Sequence, residues 1–337
     1  MTTIKEIAKL SGVSPMTVSN VINKKYSKVS KTTVDKVEEI IKKLDYVPNM
    51  SARSLVSKNS RIVVLIIPQN LINDPNKDLA MNNPFYGEMI NSIEFNLRKK
   101  GFYMMLRFVS DDEIYYPALR RWNADGVIVL GTNQKQFDLN FINTTMPLVL
   151  IDSYVDGVKN YCSVSSDDYD GGKIAACYLL ERKCKNLAVV CTDISIPGVS
   201  KERYEGFKDL LSSKGISMKS NNVYEGFPSY EYGLQVAEEI AKRDDIDGIF
   251  AFSDMIAIGI IEGLKINKIR VPEDISVIGF DGLFVSEICY PKLTTIKQNI
   301  FEKGAKSVEL LVNNMENKTI KENIILPVTL LKKKSVR

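Results

Sequence analysis

The chain has 337 residues, 45% hydrophobic and 26% charged, which is enough material for two domains and argues against general disorder. Histidine is absent and the five cysteines include no CxxC pair. That removes Ser-His-Asp and Cys-His nucleophiles and a histidine-bearing metal site, and it indicates neither a disulfide framework nor a zinc site. The net charge of +4 is uneven, because residues 1–60 carry 11 Lys/Arg against 5 Asp/Glu while the rest is slightly acidic. A basic head on a near-neutral body points to a polyanionic partner. The longest apolar runs, such as Ile62–Pro68, fall far short of the ~18 residues a membrane span needs. The opening Thr2–Ile7 does not read as a signal peptide, so a cytoplasmic protein without membrane contact is expected.

The basic head reads as helix, turn, helix. Thr3-Ile4-Lys5-Glu6 is a capping box, and Ile4, Ile7, Ala8 and Leu10 give the following helix an apolar face. Gly12 permits the left-handed turn that ends it. Ser14 before Pro15 restarts the chain in the favoured N-cap and first-turn order. Val18, Val21 and Ile22 face inward on the second helix. A third helix is expected from about Ser30 to Leu44, buttressed by Val34, Val37, Ile40, Ile41 and Leu44. Two short helices about a glycine turn, closed by a third, make a helix-turn-helix module.

From Arg61 onward, strand-like runs alternate with helical stretches. The strands are 62–68, 102–108, 126–131, 148–152, 187–192, 248–253 and 276–281. The helices are 87–99, 171–181, 203–211, 232–242 and 254–264. This alternation predicts parallel sheets covered by helices. Neither GxGxxG nor a phosphate loop follows a strand, so dinucleotide and nucleotide triphosphate binding are not supported. Asp152, Ser253, Asp254 and Asp281 close strands, where ligands sit in open α/β sheets. Asp254 reads equally as the N-cap of the next helix, and Asp281 as a turn residue.

Ile4–Ala8, Gly12–Ser14, Thr17–Asn23, Leu44–Asn49 and Ala52–Leu55 together resemble the lactose-repressor (LacI/GalR) family. Arg203–Phe207, Asp247–Asp254, Val271–Asp281 and Pro291–Ile296 extend the resemblance over nearly the whole chain. It implies an N-terminal all-α helix-turn-helix headpiece with a hinge helix, and an α/β core resembling a periplasmic binding protein, with two parallel-sheet subdomains. The expected borders are 1–47 for the headpiece and 48–60 for the hinge. The core is expected as 61–163 plus 295–322 and 164–294 plus 323–337.

The function implied is a DNA-binding transcriptional repressor, not an enzyme, with no catalytic residue, metal or cofactor. It would be a homodimer on a pseudo-palindromic operator, answering to a small effector such as a sugar or sugar derivative. The residues toward DNA would be Thr3, Ser14, Pro15, Met16, Thr17, Ser19, Asn20 and Asn23, with Ser51, Ala52 and Leu55 from the hinge. Asn20 can make a paired contact to adenine, and Met16 can pack on a thymine methyl. Leu55 would be a minor-groove wedge. The effector cleft would comprise Pro84, Phe85, Asp152, Arg203, Phe227, Ser253, Asp281 and Gln298, where relatives mostly carry Asn at the position of Ser253. Carboxylates, a guanidinium fork and aromatic faces suit a sugar ring, and a nucleobase would also stack there. The competing classes are a solute-binding protein, disfavoured by the basic head, and an α/β enzyme acting on sugars, disfavoured by the missing histidine and phosphate loop.

Overall fold

Side-chain caps set the headpiece helices where the sequence places them. The computed structural model describes residues 2–47, 59–69, 83–110, 119, 123–132, 146–155, 161–317 and 321–337. Helix α1 (Ile4–Ser11) starts where Thr3 Oγ1 accepts the Glu6 amide at 3.3 Å. It stops at Gly12, which takes φ 67°. Helix α2 (Pro15–Ile22) is capped by Ser14 and α3 (Lys31–Lys43) by Ser30. Ile7, Ala8, Val18, Val21 and Val37 form the buried centre, with Ile22, Val34, Ile40, Ile41 and Leu44 packed around it. Leu10 corrects the expectation, since it is 55% exposed. The stripe set by Ile4 and Ile7 continues to Ser11, which is buried, and position 10 lies off it. The hinge, with Ser51, Ala52 and Leu55, lies outside the described residues.

Residues 1–60 and 61–337 are separate compact units. The second holds two six-stranded sheets among the described residues. The first sheet is built from β1 (Ile62–Gln69), β2 (Tyr103–Ser110), β3 (Gly126–Leu130), β4 (Leu148–Ile151), β5 (Cys162–Ser166) and β11 (Asn323–Leu326). Its order is β11-β5-β4-β3-β1-β2, all parallel. The second comprises β6 (Leu187–Cys191), β7 (Val223–Glu225), β8 (Gly248–Ala251), β9 (Ser276–Asp281), β10 (Thr294–Lys297) and β12 (Thr329–Leu331). Its order is β12-β10-β9-β8-β6-β7, with β12 antiparallel to β10.

Helices α4 (Pro84–Lys99) and α10 (Ile300–Asn317) cover the first sheet. Helices α5 (Asp168–Glu181), α6 (Val199–Ser213), α7 (Tyr230–Ile240) and α8 (Asp254–Ile266) cover the second, and α9 (Val285–Ile288) is a single turn. The buried strands read as near-continuous apolar runs, as expected when both faces of a parallel sheet are covered.

The strand pairings move the expected borders between the two core lobes. Strand β5 continues the first sheet through Ser166, and β11 belongs to that sheet as well. Strand β10 belongs to the second. The chain therefore changes sheet at 167, at 298–299 and at 327–328, not at 163, 294 and 322. Helices α5 and α6 touch backbone to backbone. A Cβ on Gly172 would overlap the Arg203 carbonyl oxygen, and one on Gly206 the Tyr169 carbonyl oxygen. Both positions require glycine for that approach.

Candidate functional site

The headpiece presents one face of α2. Val18 and Val21 are buried, which turns Ser14, Pro15 and Met16 outward, and Met16 is 70% exposed. Thr17, Ser19 and Asn20 are half-buried, while Thr3 and Asn23 are exposed. Several polar groups expected toward DNA also hold the helix itself. Ser14 Oγ accepts the Thr17 amide at 3.1 Å and lies 2.9 Å from Thr17 Oγ1. Asn23 Nδ2 donates to the Ser19 carbonyl at 2.7 Å.

The carboxyl ends of the two sheets in the core carry a connected set of buried polar groups. Asp152 follows β4, Ser166 ends β5, Asp281 ends β9 and Gln298 lies between β10 and α10. Gln298 Nε2 donates to Asp281 Oδ1 at 2.6 Å, and its Oε1 accepts from Lys303 Nζ at 2.6 Å and from Ser166 Oγ at 3.0 Å. Lys303 Nζ also donates to both carboxylate oxygens of Asp152 at 2.7 Å. The chain of bonds thus runs from the first lobe through the crossover to the second. Asp152 and Asp281 sit at φ 47° and φ 121°. Such backbone costs roughly 1–3 kcal/mol for a residue bearing a Cβ, a cost found at binding sites held by their surroundings.

Arg203 is 7% exposed on the first turns of α6. Its Nε donates to Asp168 Oδ1 at 2.8 Å, its Nη1 donates to the Phe252 carbonyl, and its guanidinium lies 3.5 Å over the Phe280 ring. Phe280 is held by a buried aromatic cluster with Phe250. Burial raises the Asp168 carboxyl, and Arg203 opposes that rise. Burial likewise pushes the Asp281 carboxyl up to about 7, against the pull of Arg203, Gln298 and Lys303.

Asp254 proves to be neither the cap nor a cleft ligand. Ser253, extended at φ −152°, is the N-cap of α8 and accepts the Ile256 amide at 3.2 Å. Asp254 is fully buried, accepting the Leu283 amide at 2.7 Å and the Thr295 hydroxyl at 2.5 Å. It ties the loop after β9 to β10.

The structure thus bonds Gln298 directly to Asp281 and, through Lys303, to Asp152. Arg203 bonds instead to Asp168 and to the carbonyl of Phe252, the residue before Ser253. Pro84 opens α4 behind the cap Asn83, and Phe85 packs in the apolar cluster that includes Leu283 and Val285, just beyond Asp281. Phe227 is half-buried after β7 and makes no hydrogen bond to the set among the described residues.

Asp168, Ser166 and Lys303 also take part, although nothing in the local sequence marks them as site residues. Asp168 stands one residue past the first sheet crossing, at the start of α5. Lys303 reads as an ordinary helical lysine. Its signal is its register with the buried Ile300 and Ser307, which places it on the covered stripe of α10.

A cavity of about 510 Å³ opens beside this set. It is lined by the loop after β4, by β5, by the start of α5, and by Pro197 and Glu202 from the second lobe. Of the expected effector residues only Asp152 lines it.

The headpiece and core are both matched by family models. The model for bacterial regulatory proteins of the lacI family matches residues 3–49, and a periplasmic binding protein-like domain matches residues 176–336. The ribose operon repressor of Halalkalibacterium halodurans is 32% identical over 330 residues, 95% of this chain and 92% of that relative. Among solved structures, the Lac repressor dimer bound to operator and an anti-inducer aligns with a TM-score of 0.86 at 24% identity, over 99% of this chain and 98% of that one. A LacI family regulator from Enterococcus faecium with bound ribose aligns at 0.69 and 28% identity, over 81% of this chain and 98% of that one. A helix-turn-helix domain and a two-lobed α/β core in one chain define a DNA-binding transcriptional regulator, not an enzyme or a solute carrier. The chain belongs to the lacI family.

Proposed function

We propose that this regulator represses carbohydrate-utilisation genes in the cytoplasm, as a homodimer on a pseudo-palindromic operator. A sugar or sugar derivative held between the two core lobes sets its operator affinity. The observation that carries this reading is the polar chain from Asp152 and Lys303 through Gln298 to Asp281, which links the lobes beside a cavity of about 510 Å³. A ligand that bonds groups in both lobes favours one arrangement of them, and only that differential affinity can alter DNA binding. The ribose operon repressor and the ribose-bound neighbour support a sugar as the ligand.

On the DNA side, Asn20 reads adenine, Met16 packs on a thymine methyl, and Thr3, Ser14, Pro15, Thr17, Ser19 and Asn23 position α2 on the backbone. Ser51, Ala52 and Leu55 serve the hinge. Phe284, Ile288 and Tyr290 are exposed at 68%, 66% and 90%, a surface that a second copy would cover.

No helix among the described residues is long and apolar enough to cross a membrane. The deciding experiment measures operator affinity with and without a panel of pentoses and hexoses, for wild type and Arg203→Ala. One sugar should shift the wild type and leave Arg203→Ala, still bound to operator, unshifted. An equal shift in both removes Arg203 from the site.

A further inference from the structure

The cavity wall holds more carboxylates than cations. Its lining includes the carboxylates Asp152, Asp167, Asp168 and Glu202, the phenols Tyr154 and Tyr161, and no lysine or arginine among the described residues. Two buried cations pair with two of these carboxylates, Lys303 with Asp152 and Arg203 with Asp168, which leaves Asp167 and Glu202 without a cation in the wall among the described residues. The three N–H bonds that Lys303 can donate match its three contacts to Asp152 and Gln298. Arg203 is held by Asp168, the Phe252 carbonyl and the Phe280 ring. Even with both counted, four lining carboxylates face two positive charges.

A second observation points to a donor missing from the protein itself. Asp168 is 2% exposed and lines the cavity, yet its Oδ2 has no hydrogen-bond partner while Oδ1 takes Arg203. A buried carboxylate oxygen without a donor is costly, and such exceptions cluster where another molecule supplies the bond. Tyr154 lines the same cavity as Asp152, Asp168 and Glu202, and burial together with these carboxylates pushes its phenol above its ordinary range.

We propose that the effector carries a protonated amine, as an amino sugar does, with the ammonium directed to Asp168 and flanked by Tyr154 and Glu202. An ammonium supplies charge-assisted donors to carboxylates, and tyrosine faces attract it further. A neutral polyol supplies donors but leaves the acidic wall unbalanced. This inference rests on the effector reading above and narrows its ligand class.

The test is calorimetry on the full chain at about pH 6, where sugar amines are protonated. The probes are glucosamine, galactosamine and mannosamine, each beside its N-acetyl and its neutral parent form. At least one amine should bind about 10-fold or more tightly than both of its counterparts, a difference of about 1.4 kcal/mol. Asp168→Asn should erase that preference. Glu202→Gln, which leaves the Arg203 pair intact, should reduce it several-fold even if Asp168→Asn folds poorly. If a neutral parent binds as tightly as its amine and shifts operator affinity, the charge inference falls while the effector reading stands. If no probe binds, the inference falls, and the effector reading is then decided separately by the operator assay with neutral sugars.

Discussion

Lys303 Nζ lies 2.7 Å from each carboxylate oxygen of Asp152, with the lysine side chain 1% exposed and the aspartate 10%. An ion pair this enclosed adds little net stability compared with an apolar pair of similar shape, but removing one partner strands the other. Lys303→Met should therefore lower stability by about 3–5 kcal/mol in urea titration. The double variant Lys303→Met/Asp152→Asn, whose amide tolerates the φ of 47° at position 152, should recover much of the loss while abolishing the effector response. A single variant as stable as wild type would show that the pair does not hold in solution.

The glycine contact between α5 and α6 should be intolerant of a methyl group. Gly172→Ala and Gly206→Ala each place a Cβ against the facing backbone carbonyl, which cannot move aside as a side chain does. Overpacking of this sort costs about 1–3 kcal/mol. Because Arg203 lies on α6 and Asp168 on α5, the same shift should separate that pair. Operator gel shifts should show DNA binding retained and effector response weakened. An unaltered response in either variant would mean that the helices part without disturbing Arg203.

Asp281 should make stability fall as pH rises toward neutrality. Its folded pKa of about 7, raised by burial, exceeds the roughly 4 expected of an unfolded aspartate. The native chain then binds the extra proton between these values, so the contribution is complete below about 4 and is lost as pH rises through about 7. Asp254, raised by burial and then by Asp281, acts in the same direction. Exposed carboxyls such as Asp274, held down to about 2 by Arg270, act oppositely at lower pH. The useful quantity is thus the difference between wild type and Asp281→Asn. Urea midpoints at about pH 5 and 8 should show the variant gaining on wild type as pH rises; parallel profiles would place the proton elsewhere.

Operator binding should be steeply salt-dependent. With 6–10 phosphate contacts per dimer, affinity should fall about 10³–10⁵-fold between 50 and 200 mM salt. Asn20→Ala should cost about 1–3 kcal/mol and relax preference at one base pair in each half-site. Equal weakening on every operator variant would make Asn20 a phosphate ligand instead.

What could be read from the sequence was what is decided locally. Thr3, Gly12, Ser14 and Ser30 act within a few residues of themselves, and the headpiece helices begin and end on them. Apolar strands such as β1 and β9 announce themselves by composition. Strand β5, Cys-Ser-Val-Ser-Ser, does not, because its partners β4 and β11 supply the context that makes it a strand. That omission displaced the border between lobes. The choice of Ser253 over Asp254 as cap likewise depends on Leu283 and Thr295, more than twenty-five residues away, which claim the aspartate. The register of Lys303 marks it as inward-facing, but its partner Asp152 lies 151 positions back and cannot be read locally.

The three sheet crossings have a consequence for how this core can be cut. Each uses at most two residues, at 167, at 298–299 and at 327–328, so each lobe is assembled from separated stretches of one chain. The first takes 61–166 and 300–326, and the second takes the stretch between them together with the C-terminal strand. A single nick or truncation therefore cannot release either lobe as a folding fragment, and a gene fragment encoding one lobe contiguously does not exist. Limited proteolysis should yield fragments that stay associated until denatured, and the lobes should melt together in one calorimetric transition.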